Sequence, residues 1–414
     1  MSHTAPIAII GGGPCGLTFA RLLENVGIEY IIFERDVSPV PTPLFQGGTL
    51  DLHRNTGQET LRRAGLAEEF ERLARRDATT MTVQDFLGNH RSTFGEGHDA
   101  PEIDRFQLRQ LLLDSLPSQR IRWGKVLCTA ERREKAKSPV RASDWVLRFA
   151  DGSSESGFRL VVGADGAWSK LRQLIIPVKP QYSGKTFIEG RLSRDNPQYE
   201  AAREMVGTGN SMAIGDGCVL CIQQVSDLSY RVYMGIQAAD TATRPGGDID
   251  VSDIEKARSA LLGPGRFYAG WAPHLRAFIE AAEGPLRPWP LHRLHPDIFL
   301  DKSPSWTRAP GVVLLGDAAH LSTPNGAGVN MAMYDALMLF ESLTTELQTK
   351  GSDYGEEADV AALERAVIAY ETEMRPRGRE NILDSIMMEE MMYGEGGFQR
   401  MLDMVQGVNH AVKD

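Results

Sequence analysis

The chain has 414 residues, 42% of them hydrophobic and 24% charged, with a formal net charge of −10. These values describe an ordinary globular protein long enough for more than one core, and the acidic balance excludes nucleic acid as a partner, because phosphate backbones are held by clustered Lys and Arg. No run approaches the ~20 apolar residues of a membrane span, the opening MSHTAPIAII lacks the charged and cleavage regions of a secretory signal, and four cysteines are too few to staple a chain of this length; a cytoplasmic location is expected.

The chain opens with a strand, PIAII, a glycine turn, GGGPCG, a helix, LTFARLLENVG, and a second strand, EYIIFE. This is a βαβ unit, and it implies a parallel sheet. Gly11, Gly13 and Gly16, with Pro14 and Cys15 between the last two, form the pattern that lets backbone amides and a helix N-terminus hold a pyrophosphate. Glu34, at the end of the second strand and followed by Arg35, can accept hydrogen bonds from ribose hydroxyls. NAD, NADP and FAD all satisfy this unit, which does not choose among them.

Residues 37 to 60 are rich in Pro and Gly and read as loop. Helical spacing resumes in ETLRRAGLAEEFERLAR and again in DRFQLRQLLLDSL. The basic run Arg132, Arg133, Lys135 and Lys137 is interrupted by acidic residues and reads as a solvated loop. WVLRFADGS and FRLVVGADG read as strands around an Asp-Gly turn. From about residue 181 to 285 the segments FIEGRLS, NSMAIGDGCVLCIQQV and SYRVYMGIQA predict an inserted antiparallel sheet. A buried-type strand, GVVLLGD, and a long helix from about Val329 to Leu347 return the chain to the first domain. AALERAVIAYETEM predicts a helix ending near Pro376. The five methionines from Met387 to Met401 predict helical packing on the core, with an adaptable cavity lining as the other use of such residues.

Cys218 and Cys221 form a CxxC in the apolar run CVLCI. A zinc site needs a second pair and a thiol redox motif needs a strand leading into a helix. Neither is visible, so buried strand cysteines are expected and no metal site is assigned.

Two later segments narrow the ligand. GADGAWSKLR ends an apolar strand with glycines flanking Asp165, and VVLLGDAAH does the same with Asp317; a carboxylate at a strand end can bind sugar hydroxyls. Together with GGGPCG, Glu34 and Arg35, and with PNGAGVN after GDAAH, they resemble the class A flavoprotein monooxygenases, the group of para-hydroxybenzoate hydroxylase, over residues 5 to about 347. FQGGTLDLHRNTGQETLRRAGL is similar, more closely, to a loop and helix of the tetracycline-inactivating flavin monooxygenases.

The element pattern and the resemblance together predict an α/β fold with a Rossmann-like FAD-binding domain in two parts, residues 1–180 and 286–347, and an inserted antiparallel substrate domain at 181–285; the residue pattern alone predicts a helical segment at 348–414. The resemblance implies that Asp51, Arg105, Arg109 and Asp317 contact FAD, with Asp317 on the ribityl chain. It also implies that Gly326, Gly328, Val329 and Asn330 bring amides to the pyrimidine edge of the flavin. A helix N-terminus there stabilises the charge of reduced flavin. Two departures stand out: the stretch from His320 to Gly326 is one residue shorter than is common in the family, and Leu44, Phe45 and Gln46 replace an arginine that a close relative would use for the nicotinamide cofactor.

The implied reaction uses NADPH or NADH as transient reductant and O2, and hydroxylates an aromatic or polyketide-like molecule through a flavin hydroperoxide. A second chemistry on the same fold is an oxidase, reductase or cyclase that transfers no oxygen, and a third reading is a flavin-binding protein without turnover. The cofactor carries the hard step, so no catalytic side chain is assigned. His53, His292, His295 and His320 are expected to be structural. Glu189, Arg191, Met212, Tyr233 and Met234 are the candidate substrate-lining residues on the inserted sheet.

Overall fold

The computed structural model describes residues 5–40, 47–133, 141–215, 217–300, 303, 305–348 and 356–411. Leu44, Phe45 and Gln46, Lys135 and Lys137 of the basic run, and Asp216 of the GDG turn lie outside them.

Five short strands form a parallel sheet in the order Val312–Leu314, Leu160–Gly163, Ile7–Ile10, Tyr30–Phe33, Ile121–Arg122. The first four are apolar runs buried on both faces, as a parallel sheet covered by helices requires. Ile10 lies opposite both Phe33 and Gly163, and Gly163 opposite Leu314. Gly11, Glu34, Asp165 and Asp317 therefore all follow strand ends on one edge of the sheet, the carboxyl edge where open α/β sheets bind their ligands. Helix Pro14–Asn25 leaves the glycine turn with proline at its first position, and Gly27 takes the left-handed conformation (φ +70°) just past its end.

A seven-stranded sheet stands beside it, ordered Glu283–Arg293, Gln181–Leu192, Tyr230–Gln237, Cys218–Gln224, Asn210–Gly215, Met81–Asp85, Ser92–Phe94. All its pairs are antiparallel except Asn210–Gly215 with Met81–Asp85. Two of its strands thus come from residues 81–94, well before the predicted insertion, and another from 283–293. Strand alternation sends Ile188, Leu220, Val232 and Met234 to one face, where they pack on Leu261, Leu275 and Phe278 of helices Ile254–Leu262 and Pro273–Ala281. Near the far edge, Val83, Ile214 and Val219 of the other face meet Met391, Met392, Tyr393 and Met401. The methionine-rich stretch accordingly packs as a core layer, with Met387 exposed.

Pro376 does not end a helix. One helix runs from Glu356 to Tyr393 through it. An interior proline costs about 3 kcal/mol in a free helix, but Met374 and Ile382 on either side are completely buried, each contributing roughly 1.5–3 kcal/mol on burial. Arg375 adds hydrogen bonds to the carbonyls of Phe299 and Leu300. Tertiary packing outweighs the local preference.

Candidate active site

The three glycine-bearing motifs meet at the carboxyl edge of the parallel sheet. Gly11 has φ +111°, and a Cβ there would overlap the carbonyl oxygen of Ala164; one on Gly16 would overlap the carbonyl oxygen of Gly11. A Cβ on Gly316 would stand 2.8 Å from Cβ of Ala332 and 3.5 Å from the thiol of Cys15, which itself donates to the Ala332 carbonyl at 3.0 Å. These glycines are required by the close approach of backbones. Gly13 differs, because nothing lies within 4 Å of the position its Cβ would take. It faces open space at the start of a helix, where a pyrophosphate needs to approach.

Glu34, buried at the next strand end, accepts hydrogen bonds from the amides of Gly12 and, at 2.9 Å, Asp36. Arg35 points to solvent. Arg109 bridges the same region: its Nε donates to the Gly12 carbonyl at 3.2 Å and its Nη2 to Asp36 at 2.9 Å, with the guanidinium over Trp123.

Asp165 accepts from the Lys170 amide at 2.8 Å through one oxygen, while its other oxygen is buried without a partner. Removal from water raises its pKa against the opposing pull of Ser169, Lys170 and Arg172. Arg172, the arginine that ends GADGAWSKLR, is 2% exposed; it donates to the Ala167 carbonyl, and its Nη1 has no partner. Burial pushes its pKa down and the nearby carboxylates of Asp165 and Asp317 push it up. Asp317 keeps an open surface although protein surrounds it, which is the condition of a carboxylate on the floor of a cleft. Its pKa is raised by loss of water, with His320, Arg105 and Arg172 pulling it back. Buried polar atoms left unpaired are costly. Such atoms on Asp165 and Arg172, together with the open face of Gly13 and the accessible Asp317, fit a polar dinucleotide in this cleft.

Behind Asp317 lies a buried ion cluster. His320 and Asp335 are 2.5 Å apart, and Asp335 also accepts from the Gly316 amide at 2.9 Å and from Arg377 at 2.8 Å. Burial opposes ionisation of both, but each raises or lowers the other's pKa toward the charged pair, with Arg377 adding to the effect on Asp335. His320 holds the GDAAH turn in shape. The other candidate histidines are also committed to local partners: His53 to Asp51 at 2.9 Å, His292 to the Pro290 carbonyl, and His295 to the Asp297 amide.

Asp51 joins the cleft through Asn330. The Asn330 side chain donates to the Asp51 carbonyl at 2.8 Å and accepts from the His53 amide at 2.8 Å, and a Cβ on Gly326 would stand 4.0 Å from the Asp51 carboxylate. Asn330 is 1% exposed, and its side chain bolts two loops together. Gly328 opens helix Gly328–Gln348 with no atom within 4 Å of its missing Cβ, and Val329 packs against the core. Arg105 opens helix Arg105–Asp114 beside Gly47, with its side chain exposed.

On the seven-stranded sheet, Met212, Cys221, Tyr233 and Glu189 stand in register across four strands and share a face. A Cβ on Gly48 would overlap the Tyr233 hydroxyl, so this face meets the loop leading to Asp51. Tyr233 also meets Phe187 edge-on at 6.2 Å, and loss of water with Glu189 nearby raises its pKa. Glu189 is buried and accepts from the Trp289 indole at 2.8 Å; Arg191 pairs with Asp227 at 3.0 Å. Met234 is corrected: strand alternation turns it into the helix-covered core, 1% exposed, away from Tyr233. The same alternation separates the CxxC. Cys218 faces that core and Cys221 the opposite side, so the two thiols cannot act as a pair.

Arg172, Asp335 and Arg377 were not singled out from the sequence. Arg172 could have been, as the charged residue that closes the glycine-flanked Asp165 segment; Asp335 and Arg377 are 42 positions apart and only folding joins them.

This geometry is that of a flavin-binding α/β protein, and the comparisons agree. The family described as FAD binding domain matches residues 4–189 and 305–375. The chain belongs to that family, the class A flavin monooxygenases, and is an FAD-dependent oxidoreductase. Among its relatives, monooxygenase penA of Penicillium thymicola is 32% identical and monooxygenase asqM of Emericella nidulans 31%, each alignment covering 90% of this chain and 92% of the relative. Among solved structures, a single-substitution variant of Klebsiella pneumoniae HpxO complexed with FAD superposes with a TM-score of 0.74 at 23% identity, over 98% of this chain and 97% of that one. Tetracycline destructase Tet(55) superposes at 0.69 with 16% identity, over 99% and 96%. At those identities the two structures show the fold.

Proposed function

We propose that this chain uses NADPH or NADH and O2 to hydroxylate an aromatic or polyketide-like small molecule, with FAD along the carboxyl edge of the parallel sheet and the substrate against the Met212–Cys221–Tyr233 face. The observation that carries the reading is the approach of Tyr233 to Gly48, which sets the one partly exposed polar ring of that row beside the loop joined to Asp51, Asn330 and Gly326. Apolar and polarizable side chains with a single phenol suit a planar substrate carrying a hydroxyl or carbonyl. The names of relatives support the class: two related Streptomyces platensis enzymes are 3-amino-4-hydroxybenzoate 2-monooxygenases, and HpxO has been solved with uric acid.

When bound, FAD supplies the redox and oxygen chemistry. The protein's part is to bind it through Gly13, Glu34, Asp165 and Asp317, to aim backbone amides of Gly328 to Asn330 at its pyrimidine edge, and to hold the substrate in a water-poor cleft. The low cysteine count and the acidic net charge support a reducing cytoplasmic setting and no nucleic-acid partner. Among the described residues no helix is long and apolar enough to cross a membrane.

The test is stopped-flow reduction by NADPH or NADH followed by mixing with 18O2, across panels of phenols and polyketides. Product carrying one 18O atom is expected. Rapid reduction followed only by hydrogen peroxide, for every compound, would replace hydroxylation with an oxidase reading.

A further inference from the structure

The long C-terminal helix carries Arg377, Asn381, Ser385 and Glu389 at four-residue intervals, which places them on one stripe over about 18 Å. Asn381, Ser385 and Glu389 are 5%, 0% and 3% exposed. A helix that only packs needs apolar residues on such a face, because buried polar groups are costly unless each is matched. Ser385 donates to the Ile382 carbonyl of its own helix, and the other three each find a partner on one segment, residues 316 to 335. Arg377 reaches Asp335, and Gly378 lets the helix approach His320, where a Cβ would stand 2.9 Å from the histidine Cβ. Asn381 accepts from Asn325 at 2.9 Å and donates to the Ser322 hydroxyl at 3.1 Å. Glu389 accepts from the buried Thr323 hydroxyl at 2.6 Å. Its carboxylate is also held by Lys185 at 2.8 Å and Arg293 at 3.2 Å, both on strands of the seven-stranded sheet.

From these contacts we infer that Asn381 and Glu389 are positioning residues for the turn 322–327, setting where the amides of Gly328 to Asn330 stand and tying that turn to the substrate sheet through Lys185 and Arg293. The inference rests on the reading of Gly326 to Asn330 as the flavin edge. The turn is kept in register by three hydrogen bonds between its side chains and those of a neighbouring helix.

The test uses the full-length holoenzyme. Thr323→Val keeps the shape and removes the bond to Glu389, Thr323→Ser restores a hydroxyl, and Asn381→Ala removes the other two bonds. Visible flavin absorption, midpoint potential, FAD dissociation constant and thermal midpoint are measured for each, with Asp317→Ala as a separate probe of the flavin site. For Thr323→Val we expect a changed flavin band and midpoint potential and FAD binding weakened about tenfold, the scale of one hydrogen bond to a charged group, with Thr323→Ser close to the parent. A folded Thr323→Val and a folded Asn381→Ala that both keep the parental band and potential, while Asp317→Ala loses FAD, would overturn the positioning role alone. If Asp317→Ala retains parental FAD binding, the flavin-site reading itself fails.

Discussion

At the scale of single residues, the glycines of the first turn divide by what surrounds them. Gly11 and Gly16 are fixed by backbone overlap, whereas Gly13 faces open space. Gly11→Ala is expected to give little soluble protein, and Gly13→Ala to give folded protein with a parental melting temperature but a reduced FAD-to-protein ratio; equal FAD content in the Gly13 variant and the parent would remove the pyrophosphate from that position. On the sheet, Tyr233 and Met234 are neighbours in sequence with opposite fates. Met234→Ala should cost about 2–5 kcal/mol in denaturant unfolding, as large-to-small core changes do, and leave substrate preference alone. Tyr233→Phe should do the reverse. A selective loss of preference in the Met234 variant would reassign the cleft face.

At the scale of elements, the helix Glu356–Tyr393 carries a buried carboxyl with a testable pH signature. Glu371 is pushed up to about 7 from an ordinary 4.5, chiefly by burial, with Arg308 pulling the other way. Because its pKa is higher folded than unfolded, the folded chain holds a proton the unfolded chain has released, and stability falls as pH rises across that interval. Above it the deficit is of order 3 kcal/mol. Glu371→Gln should therefore flatten the stability profile between pH 4.5 and about 7 and raise the melting temperature at pH 8; a parallel profile in variant and parent would show that Glu371 titrates normally. The strand Cys218–Gln224 yields a second expectation. Its thiols lie on opposite faces, and burial pushes Cys221 up to about 12, so neither is a ready nucleophile. Changing both to Ala should lower stability through packing and leave flavin reduction by NADPH unchanged, and loss of reduction in a folded variant would restore a redox role.

For the whole molecule, the C-terminal helices belong to both halves. Leu363, Ala366, Val367, Tyr370 and Met374 are buried with the parallel-sheet side, and Met391, Met392 and Met401 lie on the antiparallel sheet. Ending the chain at residue 355 is expected to yield aggregated protein, read as loss of the soluble fraction; soluble, FAD-loaded protein would show that these helices are an accessory. The part of this protein legible in sequence is local. Strand, glycine turn and helix sit within 30 residues in the first unit, and the dipeptides around Asp165 and Asp317 mark strand ends, because apolar runs ending in glycine have few other uses. These determined the parallel sheet, the cofactor class and most of the carboxyl edge. Where local preference and packing disagree, sequence misleads, as at Pro376, whose helix is kept by burial on either side. Which face a residue takes on a twisted sheet depends on register, so Tyr233 and Met234 could not be told apart without partners. The ion cluster of His320, Asp335 and Arg377 and the polar stripe to Glu389 join residues tens of positions apart, and no spacing rule connects them. The sequence by itself determined that this chain holds FAD; only the tertiary structure decided which distant side chains brace the turn 322–327 and which face of the antiparallel sheet Tyr233 and Met234 take, because both depend on elements that touch after folding.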